Sequence, residues 1–332
     1  MRIARLRHLW LGCVVALLAV LLMSSLMSPA VPAATWPSTV ATVSGGGLTI
    51  STPEGGRTQV PLPGKVGALD LTPDGRTAVV AAGSGVEGPL GGVTGEIIVL
   101  QTDDLTKTAR LSEAGPITHV TISSDGRHVA YVKDYSELWV FDVEVGVSRP
   151  LTSARLLAPG VLGSVLFDPV FERSTAEPSV IVGVVEKTFS GEDDKLDNLW
   201  RVPLTGTPTK LTSLVEGPGE EDWQVLRSPA TLGDGATVYT TGSSTSNVPP
   251  ESWTASSVGA DGTSETLGPV PPMTYVLGID GSKMAALVWD KTNGLFDLYV
   301  QTLPPGGTWT EWCENGCEVL REDVQAAAVA SS

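Results

Sequence analysis

The sequence predicts an all-β fold, a six-bladed β-propeller closed by a C-terminal strand that joins the N-terminal blade. Short β-branched runs alternate with turn residues, and the 37 Gly and 24 Pro of the chain exclude a helical array. A strand followed by an Asp-Gly turn recurs along the chain. Residues 323–332 have the form of the strand before such a turn, and the strand that would follow lies at residues 38–43. Closing a ring through the chain ends leaves no free sheet edge.

Residues 1–33 predict a secretory signal peptide. Three arginines precede an apolar run over residues 9–23, and small residues follow it. The run is shorter than the roughly twenty residues of a membrane span. The alternative is an anchor that is never cleaved. We expect residues 34–332 to form a single propeller domain that is exported, either extracellular or in the cell envelope (periplasm or cell wall).

The repeat can be followed in order. Its clearest copies are Leu69–Val80 and Val120–Tyr131, and Asp-Gly suits a tight turn because both residues tolerate positive φ. A third strand follows at Leu138–Asp142, and a fourth ends in Leu-Thr. The roughly 300 residues after the leader suit six blades of about forty to fifty residues. The predicted blades are 39–62 with 324–330, 64–115, 116–158, 159–217 (which lacks the Asp-Gly turn), 222–269 and 270–320.

These features resemble the WD-like repeats of TolB-type propellers. The likeness rests on the Asp-Gly-Arg turns, the Leu-Trp-Val-Phe-Asp strand at 138–142 and the Leu-Thr pairs. The resemblance implies a six-bladed propeller, export and a non-catalytic role in binding an envelope protein. The TolB type also carries an α/β domain before its propeller. Here only a few residues separate the predicted cleavage site from the first strand, so the resemblance extends to the propeller alone.

The net charge of the chain limits the classes of molecule that it can bind. The net charge is −16, and the leader holds three arginines and no acidic residue, so the remainder is more acidic still. Such a surface repels phosphate backbones and anionic lipid. We therefore expect no nucleic acid partner, membrane contact only through an uncleaved leader, and a monomer. An envelope protein or a glycan remains as the partner.

Two cysteines, Cys313 and Cys317, flank a three-residue loop after the predicted leader. A hairpin over this loop would place them opposite each other, within disulfide range. In an exported protein we expect the pair to be oxidised. A redox-active pair is the alternative, but the C-x-x-C spacing of such pairs is absent.

One face of the propeller collects acidic and aromatic residues. In a propeller, the loops joining second to third strands share a face with the loops between blades, which we call the upper face. Clustered carboxylates and aromatic rings could bind a cation, a basic peptide or a sugar. Solvated hairpin tips are the alternative. The candidate ligand-binding residues are Asp134, Tyr135, Asp193, Asp194, Glu221, Asp222, Trp223, Trp289 and Asp290.

Calcium is the one cofactor that the sequence suggests. Calcium takes six to eight oxygen ligands, and Asp193, Asp194 and Asp197 lie in one predicted loop. The run does not match an EF-hand. His119 and His128 flank one turn and give too few ligands for zinc, so both are expected to be surface or core residues.

The sequence assigns no catalytic residue. It contains no Gly-x-Ser-x-Gly. The first hypothesis is therefore a non-catalytic binding module. The second is a calcium-dependent propeller enzyme, lactonase-like or glycan-cleaving, in which Asp193, Asp194, Asp222 and Asp290 are metal ligands or general bases.

Overall fold

Strands make up nearly all the regular structure in the computed structural model. Its contacts divide the chain into residues 1–36 and 37–332, and every described residue lies in the second unit. Among the residues described, no helix has the length and apolar character needed to cross a membrane. The structure describes residues 39–45, 47–52, 56–86, 92–161, 163–173, 177–187, 196–214, 223–232, 234–244, 252–280, 283–304, 308–313 and 316–330.

The strands follow one another as antiparallel meanders, and the runs rich in Val, Ile and Thr form their centres. The first two meanders contain β1 (Val40–Ser44), β2 (Gly47–Ser51), β3 (Arg57–Val60), β4 (Lys65–Leu71), β5 (Thr77–Gly85), β6 (Val93–Gln101) and β7 (Lys107–Ser112). The next contain β8 (Ile117–Ile122), β9 (His128–Lys133), β10 (Glu137–Asp142), β11 (Val147–Ser153), the short helix α1 (Ala154–Leu157), β12 (Leu166–Phe171), β13 (Ser179–Lys187), β14 (Leu196–Pro203) and β15 (Thr209–Lys210). The last strands are β16 (Trp223–Thr231), β17 (Thr237–Ser244), β18 (Ser252–Val258), β19 (Ser264–Val270), β20 (Tyr275–Asp280), β21 (Lys283–Asp290), β22 (Leu295–Thr302), β23 (Cys317–Val324) and β24 (Ala326–Val329).

The sheets have a propeller arrangement, all-β and mostly antiparallel. The described strands form two sheets of four strands and two of eight. The four-stranded sheets run β24-β1-β2-β3 and β20-β21-β22-β23. In one eight-stranded sheet the order is β11-β10-β9-β8-β6-β5-β4, with β7 on β6. In the other it is β12-β13-β14-β16-β17-β18-β19, with β15 on β14.

The last strand pairs with the first. Val40 of β1 lies opposite Val329 of β24, and the register continues to Val43 opposite Ala326. The amide of Ala330 donates to the carbonyl of Thr39 at 2.9 Å, just beyond this ladder. Residues from the two ends of the described chain therefore share one sheet.

Apolar cores lie between neighbouring meanders. One core joins Leu48 and Ile50 of β2 to Val80 of β5 and Leu100 of β6, and Ala328 of β24 packs into it. All five side chains are at most 5% exposed. Because alternate residues of each strand face opposite sides, β5 and β6 contribute one set of residues to this core and the alternate set to a second core with β8 and β9.

The Asp-Gly turns differ from the prediction in one respect. Gly75 and Gly126 adopt positive φ, of 69° and 72°, but the preceding aspartates do not. Asp74 instead accepts hydrogen bonds from the Arg76 amide at 3.0 Å and the Thr72 hydroxyl at 2.7 Å. The connection is therefore longer than the tight turn expected, and the aspartate closes it through its side chain.

Cys313 and Cys317 are joined by a disulfide, as predicted, with their Cα atoms 5.1 Å apart. Cys313 lies in a turn, in which its carbonyl accepts from the Gly316 amide at 2.8 Å, and Cys317 pairs with Gln301 of β22 in the sheet ladder. Glu314 and Asn315 of the predicted hairpin loop lie outside the described residues. The bond therefore ties this turn to the start of β23.

Candidate functional site

A central cavity of about 340 Å³ lies between the first strands of the meanders. Its wall is built from β4, β8, β12, β16, β20 and β24. This volume is at the lower end of the roughly 300–1,000 Å³ of small-molecule sites. The polar side chains that line it include Asp70, His119, Asp168 and Tyr275.

Backbone irregularities place side chains on this wall. Five of the cavity-lining strands have a register shift in their pairing with the next strand. Such bulges re-aim side chains and are common beside functional sites. The shift in β12 includes Asp168, whose φ of +43° is uncommon for a residue other than glycine. The shifts lie between Val66 and Ala68, Ile117 and His119, Phe167 and Val170, Arg227 and Ala230, and Val276 and Gly278.

His119 and Asp168 form a pair that joins β8 to β12. The imidazole Nε2 lies 3.1 Å from Asp168 Oδ1, and Nδ1 lies 3.0 Å from the hydroxyl of Thr118. Since an ionised carboxylate only accepts hydrogen bonds, Nε2 carries a hydrogen and donates it to Asp168. Both side chains keep some exposure, 32% and 20%, so the pair meets the cavity and is not sealed in the core.

A buried ion pair lies beside this pair. Arg227 Nη1 is 3.0 Å from Asp197 Oδ2, and the same oxygen accepts from the Leu226 amide at 3.1 Å. Burial is the largest single effect and acts to lower the pKa of Arg227, but the negative charge of Asp197, its hydrogen bond and the smaller effects of Tyr275 and Asp168 together raise it. The positive charge of Arg227 is therefore largely balanced within the protein.

Three aromatic residues, Tyr275, Phe296 and Trp289, form a continuous group, which we call the aromatic group. The rings of Tyr275 and Phe296 are 5.4 Å apart at 90°, and those of Phe296 and Trp289 are 5.0 Å apart at 67°. Tyr275 and Phe296 line the central cavity, and Phe296 also lines a neighbouring opening of about 710 Å³ with Lys65 and Gln325. The aromatic group thus runs from the cavity wall to the end of β21.

The phenol of Tyr275 is held protonated. Burial raises its pKa, and the negative charge of Asp168 raises it further, against the opposing effect of Arg227. A protonated phenol carries a hydrogen that it can donate.

Asp70 lies at the lower end of the cavity. Its Oδ2 accepts from the Thr121 hydroxyl at 2.7 Å and the Ile122 amide at 3.0 Å, and its Oδ1 accepts from the Leu71 amide at 2.7 Å. Burial raises the pKa of Asp70 although these bonds act to lower it. The carboxylate thus links β4 to β8, and its hydrogen bonds are within the protein.

The structure separates the predicted upper-face residues. Trp289 belongs to the aromatic group, and Asp290 follows it at the end of β21, where Oδ1 accepts from the Thr292 amide at 2.8 Å. Asp134 and Tyr135 form the turn between β9 and β10 and are not among the residues that line the cavity. Their roles in binding remain predictions.

The predicted calcium residues are only partly described. Asp193, Asp194, Glu221 and Asp222 lie outside the described residues, and Trp223 is the first residue of β16. Asp197 lies in β14, not in the loop expected for it, and is fully buried with Arg227 as its partner. Within the described part of the chain, no group of three or more His, Cys, Asp or Glu residues could hold a metal ion.

The cavity-wall residues Asp70, His119, Asp168 and Tyr275 were absent from the predicted site, as was Arg227, the partner of Asp197. His119 was expected to be a surface or core residue, whereas it lies on the cavity wall. A usable signal was present, since a charged residue inside the innermost strand of a propeller faces either a core or the central cavity. Asp70 between Leu69 and Leu71 is the clearest case.

The chain is similar in fold to proteins of known structure. No protein-family model matches the chain, and no curated protein matches it. An oligogalacturonate lyase in complex with manganese is 15% identical, with 77% of this chain and 68% of that chain covered and a TM-score of 0.51. The hydrazine synthase of Kuenenia stuttgartiensis is 14% identical, with 86% and 83% covered and a TM-score of 0.50. At these identities the likeness shows the fold alone, and the TolB-type resemblance stays a prediction.

Proposed function

We propose that this protein is an exported six-bladed β-propeller that binds a neutral envelope glycan without catalysing a reaction on it. The binding site is the aromatic group together with the opening of the central cavity. One observation carries the proposal. The ring contacts from Trp289 through Phe296 to Tyr275 connect a predicted upper-face residue to the cavity wall.

Two observations support six blades in a closed ring. Each eight-stranded sheet consists of two meanders of four strands joined by a single residue pair, Val93 with Ile117 in one and Leu196 with Gln224 in the other. The first strands also contact each other in a cycle, from β4 through β8, β12, β16, β20 and β24 back to β4. Each meander of four strands is then one blade, and the pairing of β24 with β1 completes the ring.

The chemistry of the site favours a sugar. Hydroxyl groups both donate and accept hydrogen bonds, while the C–H faces of a sugar ring are apolar. The site offers the phenol of Tyr275 as a hydrogen-bonding group and the rings of Phe296 and Trp289 as apolar surfaces. A net charge of −16 disfavours an acidic polymer. A neutral glycan satisfies all of these conditions.

Export is supported by the leader and by the disulfide. Residues 1–33 have the order of a signal peptide. The bond between Cys313 and Cys317 is typical of oxidising compartments such as the bacterial periplasm or the extracellular space. A propeller in either place has access to the glycans of the envelope.

The test is co-sedimentation of the purified protein with an insoluble polysaccharide fraction of the host envelope. Trp289→Ala should weaken binding about tenfold, because it removes an aromatic contact surface of order 1 kcal/mol. Trp139→Ala is the matched control, since Trp139 stacks on Tyr131 at 6.4 Å and is not among the cavity-lining residues. Equal losses in the two variants, or no binding by the unmodified protein, would rule out the proposal.

A further inference from the structure

We propose that Arg57 and Arg321, together with the hydroxyl of Ser51, form a binding site for a small oxyanion such as phosphate. The site lies where the sheet β24-β1-β2-β3 meets β23, the outer strand of the sheet β20-β21-β22-β23. None of the three residues is among those that line the central cavity. The inference therefore goes beyond the proposed function and does not depend on it.

The strand register and one hydrogen bond bring both arginines to the same serine. Ser51 of β2 lies directly opposite Arg57 of β3, and residues paired in this way have their side chains on one face of the sheet. From the other sheet, Arg321 Nη2 donates to Ser51 Oγ at 3.4 Å, while its Nη1 donates to the carbonyl of Leu320 at 2.6 Å. Both arginines are therefore neighbours of one hydroxyl group.

The two positive charges repel each other. Burial, and after it the positive charge of Arg57, lower the pKa of Arg321, although an arginine in a protein stays charged. Among the described residues, neither of these guanidinium groups forms an ion pair with a carboxylate, whereas five other arginines each do so. A negatively charged ligand would offset this repulsion.

The groups at the site match the chemistry of a tetrahedral oxyanion. A guanidinium binds phosphate through parallel N–H···O bonds, and such charged hydrogen bonds are roughly twice as strong as neutral ones. The guanidinium of Arg321 has more N–H groups than its two hydrogen bonds use. Ser51 accepts from Arg321, so its own hydroxyl hydrogen can be donated to an oxygen of the ion. Because Arg57 is exposed and Arg321 is only partly buried, an ion can reach the site from solvent.

The net charge of −16 opposes anions at long range but does not decide local binding. Salt screens charges over about 8 Å at physiological ionic strength. An ion at this site therefore responds mainly to the two guanidinium groups beside it.

A bound oxyanion would also link the two sheets. The contacts between them include the bond from Arg321 to Ser51 and a bond from Ser44 Oγ to the carbonyl of Asp323 at 3.2 Å. None of the five apolar cores formed by the described residues contains side chains from both of these sheets. An ion that contacts both arginines would add an attraction there, and binding should stabilise the folded protein.

The test is calorimetric titration of the purified protein with inorganic phosphate at constant ionic strength. Phosphate should bind the unmodified protein and raise its melting temperature. Arg57→Gln should weaken binding roughly tenfold, because it removes one charged hydrogen-bonding group. Arg127→Gln is the matched control, since it changes the net charge equally and Arg127 pairs with Glu144 at an exposed position.

A second measurement tests the repulsion without any ligand. In buffer free of phosphate and sulfate, Arg57→Gln should melt at the same temperature as the unmodified protein or higher, because the substitution removes one of two like charges. A lower melting temperature would contradict the repulsion on which the site rests.

Glycerol 1-phosphate, a phosphate monoester, is titrated in parallel to distinguish two sources of the ion. Equal affinity would show that the site accepts a phosphate group carried by a larger molecule, whereas binding of inorganic phosphate alone would identify the free ion as the ligand. If phosphate does not bind the unmodified protein, or if Arg57→Gln and Arg127→Gln lose equal affinity, the inference is wrong.

Discussion

At the scale of single residues, Asp70 links two first strands with a carboxylate that burial makes difficult to ionise. Its three hydrogen bonds all come from groups of β4 and β8. Burial nevertheless raises its pKa. Ionising Asp70 in the folded protein therefore costs free energy. Because of this cost, the free energy of unfolding depends on pH.

We predict that the stabilising effect of Asp70 decreases as the pH rises. A group with a raised pKa in the folded state contributes stability that is fully present below the unfolded pKa, near 3.9, and is lost as the pH rises through the folded pKa. The free energy of unfolding of the unmodified protein, minus that of Asp70→Asn, should therefore fall as the pH rises from about 4. Urea denaturation of both proteins at a series of pH values measures this difference.

Asp104 provides the opposite control. The Thr106 amide donates to its carboxylate at 2.8 Å and lowers its pKa. Its contribution is present above the unfolded pKa and is lost as the pH falls, so the difference for Asp104→Asn should rise with pH. A flat or rising difference for Asp70→Asn would contradict the assignment of a raised pKa to Asp70.

Asp197 should be among the most sensitive positions in the protein. It is fully buried, and its partner Arg227 is 24% exposed. Removing one charge from a buried pair leaves the other uncompensated, at a cost of about 3–5 kcal/mol. We expect Asp197→Asn to lose about 3 kcal/mol, at the lower end because Arg227 retains some solvent contact. Asp234→Asn, on an exposed turn, should cost less than about 1 kcal/mol; equal costs in chemical denaturation would disprove the argument.

Calcium binding by Asp193, Asp194 and Asp197 can be tested through thermal stability. The carboxylate of Asp197 is already paired with Arg227, so a calcium ion would have to compete with that contact. We expect the melting temperature to be the same in EDTA and after addition of calcium. A rise with calcium that disappears in a variant with Asp193→Asn and Asp194→Asn would instead favour the calcium-dependent enzyme.

At the scale of secondary structure elements, the Asp-Gly turns depend on the conformation of glycine. Gly126 has a φ of +72°, and a Cβ added to it would meet no atom closer than 3.7 Å. The cost of Gly126→Ala therefore comes from the backbone and should be about 1 kcal/mol. Gly56→Ala is the control, since Gly56 is not among the residues with positive φ and its nearest contact is at 3.4 Å. If thermal denaturation shows equal losses, backbone strain is not the cause.

The sequence was informative about strands because their signals are local. Alternating β-branched residues and Asp-Gly turns lie within about ten residues of each other. The predicted blades 64–115, 116–158 and 159–217 each contain four consecutive strands, while β23 extends past the predicted limit of 320 to Val324. That end was misplaced because no turn residue separates β23 from β24.

The site was less predictable because it is assembled from distant strands. His119 and Asp168 lie 49 positions apart and meet only because β8 and β12 are neighbours with register shifts at the same level. Register shifts leave little trace in the sequence, since they depend on how two strands pair. Trp289 was identified from its place at a loop, whereas its contact with Phe296 required the structure.

At the scale of the whole molecule, the pairing of β24 with β1 should determine whether the protein stays folded. Ala327, Ala328, Val329 and Ala330 are at most 8% exposed. Deleting residues 325–332 should cost roughly 3–5 kcal/mol from lost burial and should expose the edge of β1 to association. Deleting residues 331–332 is the control. Melting temperature and size-exclusion chromatography measure the two effects, and a monomer of unchanged stability after the longer deletion would contradict the prediction.

The hydrogen bond from Ala330 to Thr39, at 2.9 Å, shows that these two residues are close enough to be joined. If they were joined, the order of the strands along the chain would depend on where new ends were opened. A short linker from residue 330 to residue 39, with new ends opened inside the turn of Asp125 and Gly126, would give a circular permutant with the same neighbours in space. Permutation succeeds at exposed turns whose ends are close together. Fused domains could then be attached at the new ends inside this turn.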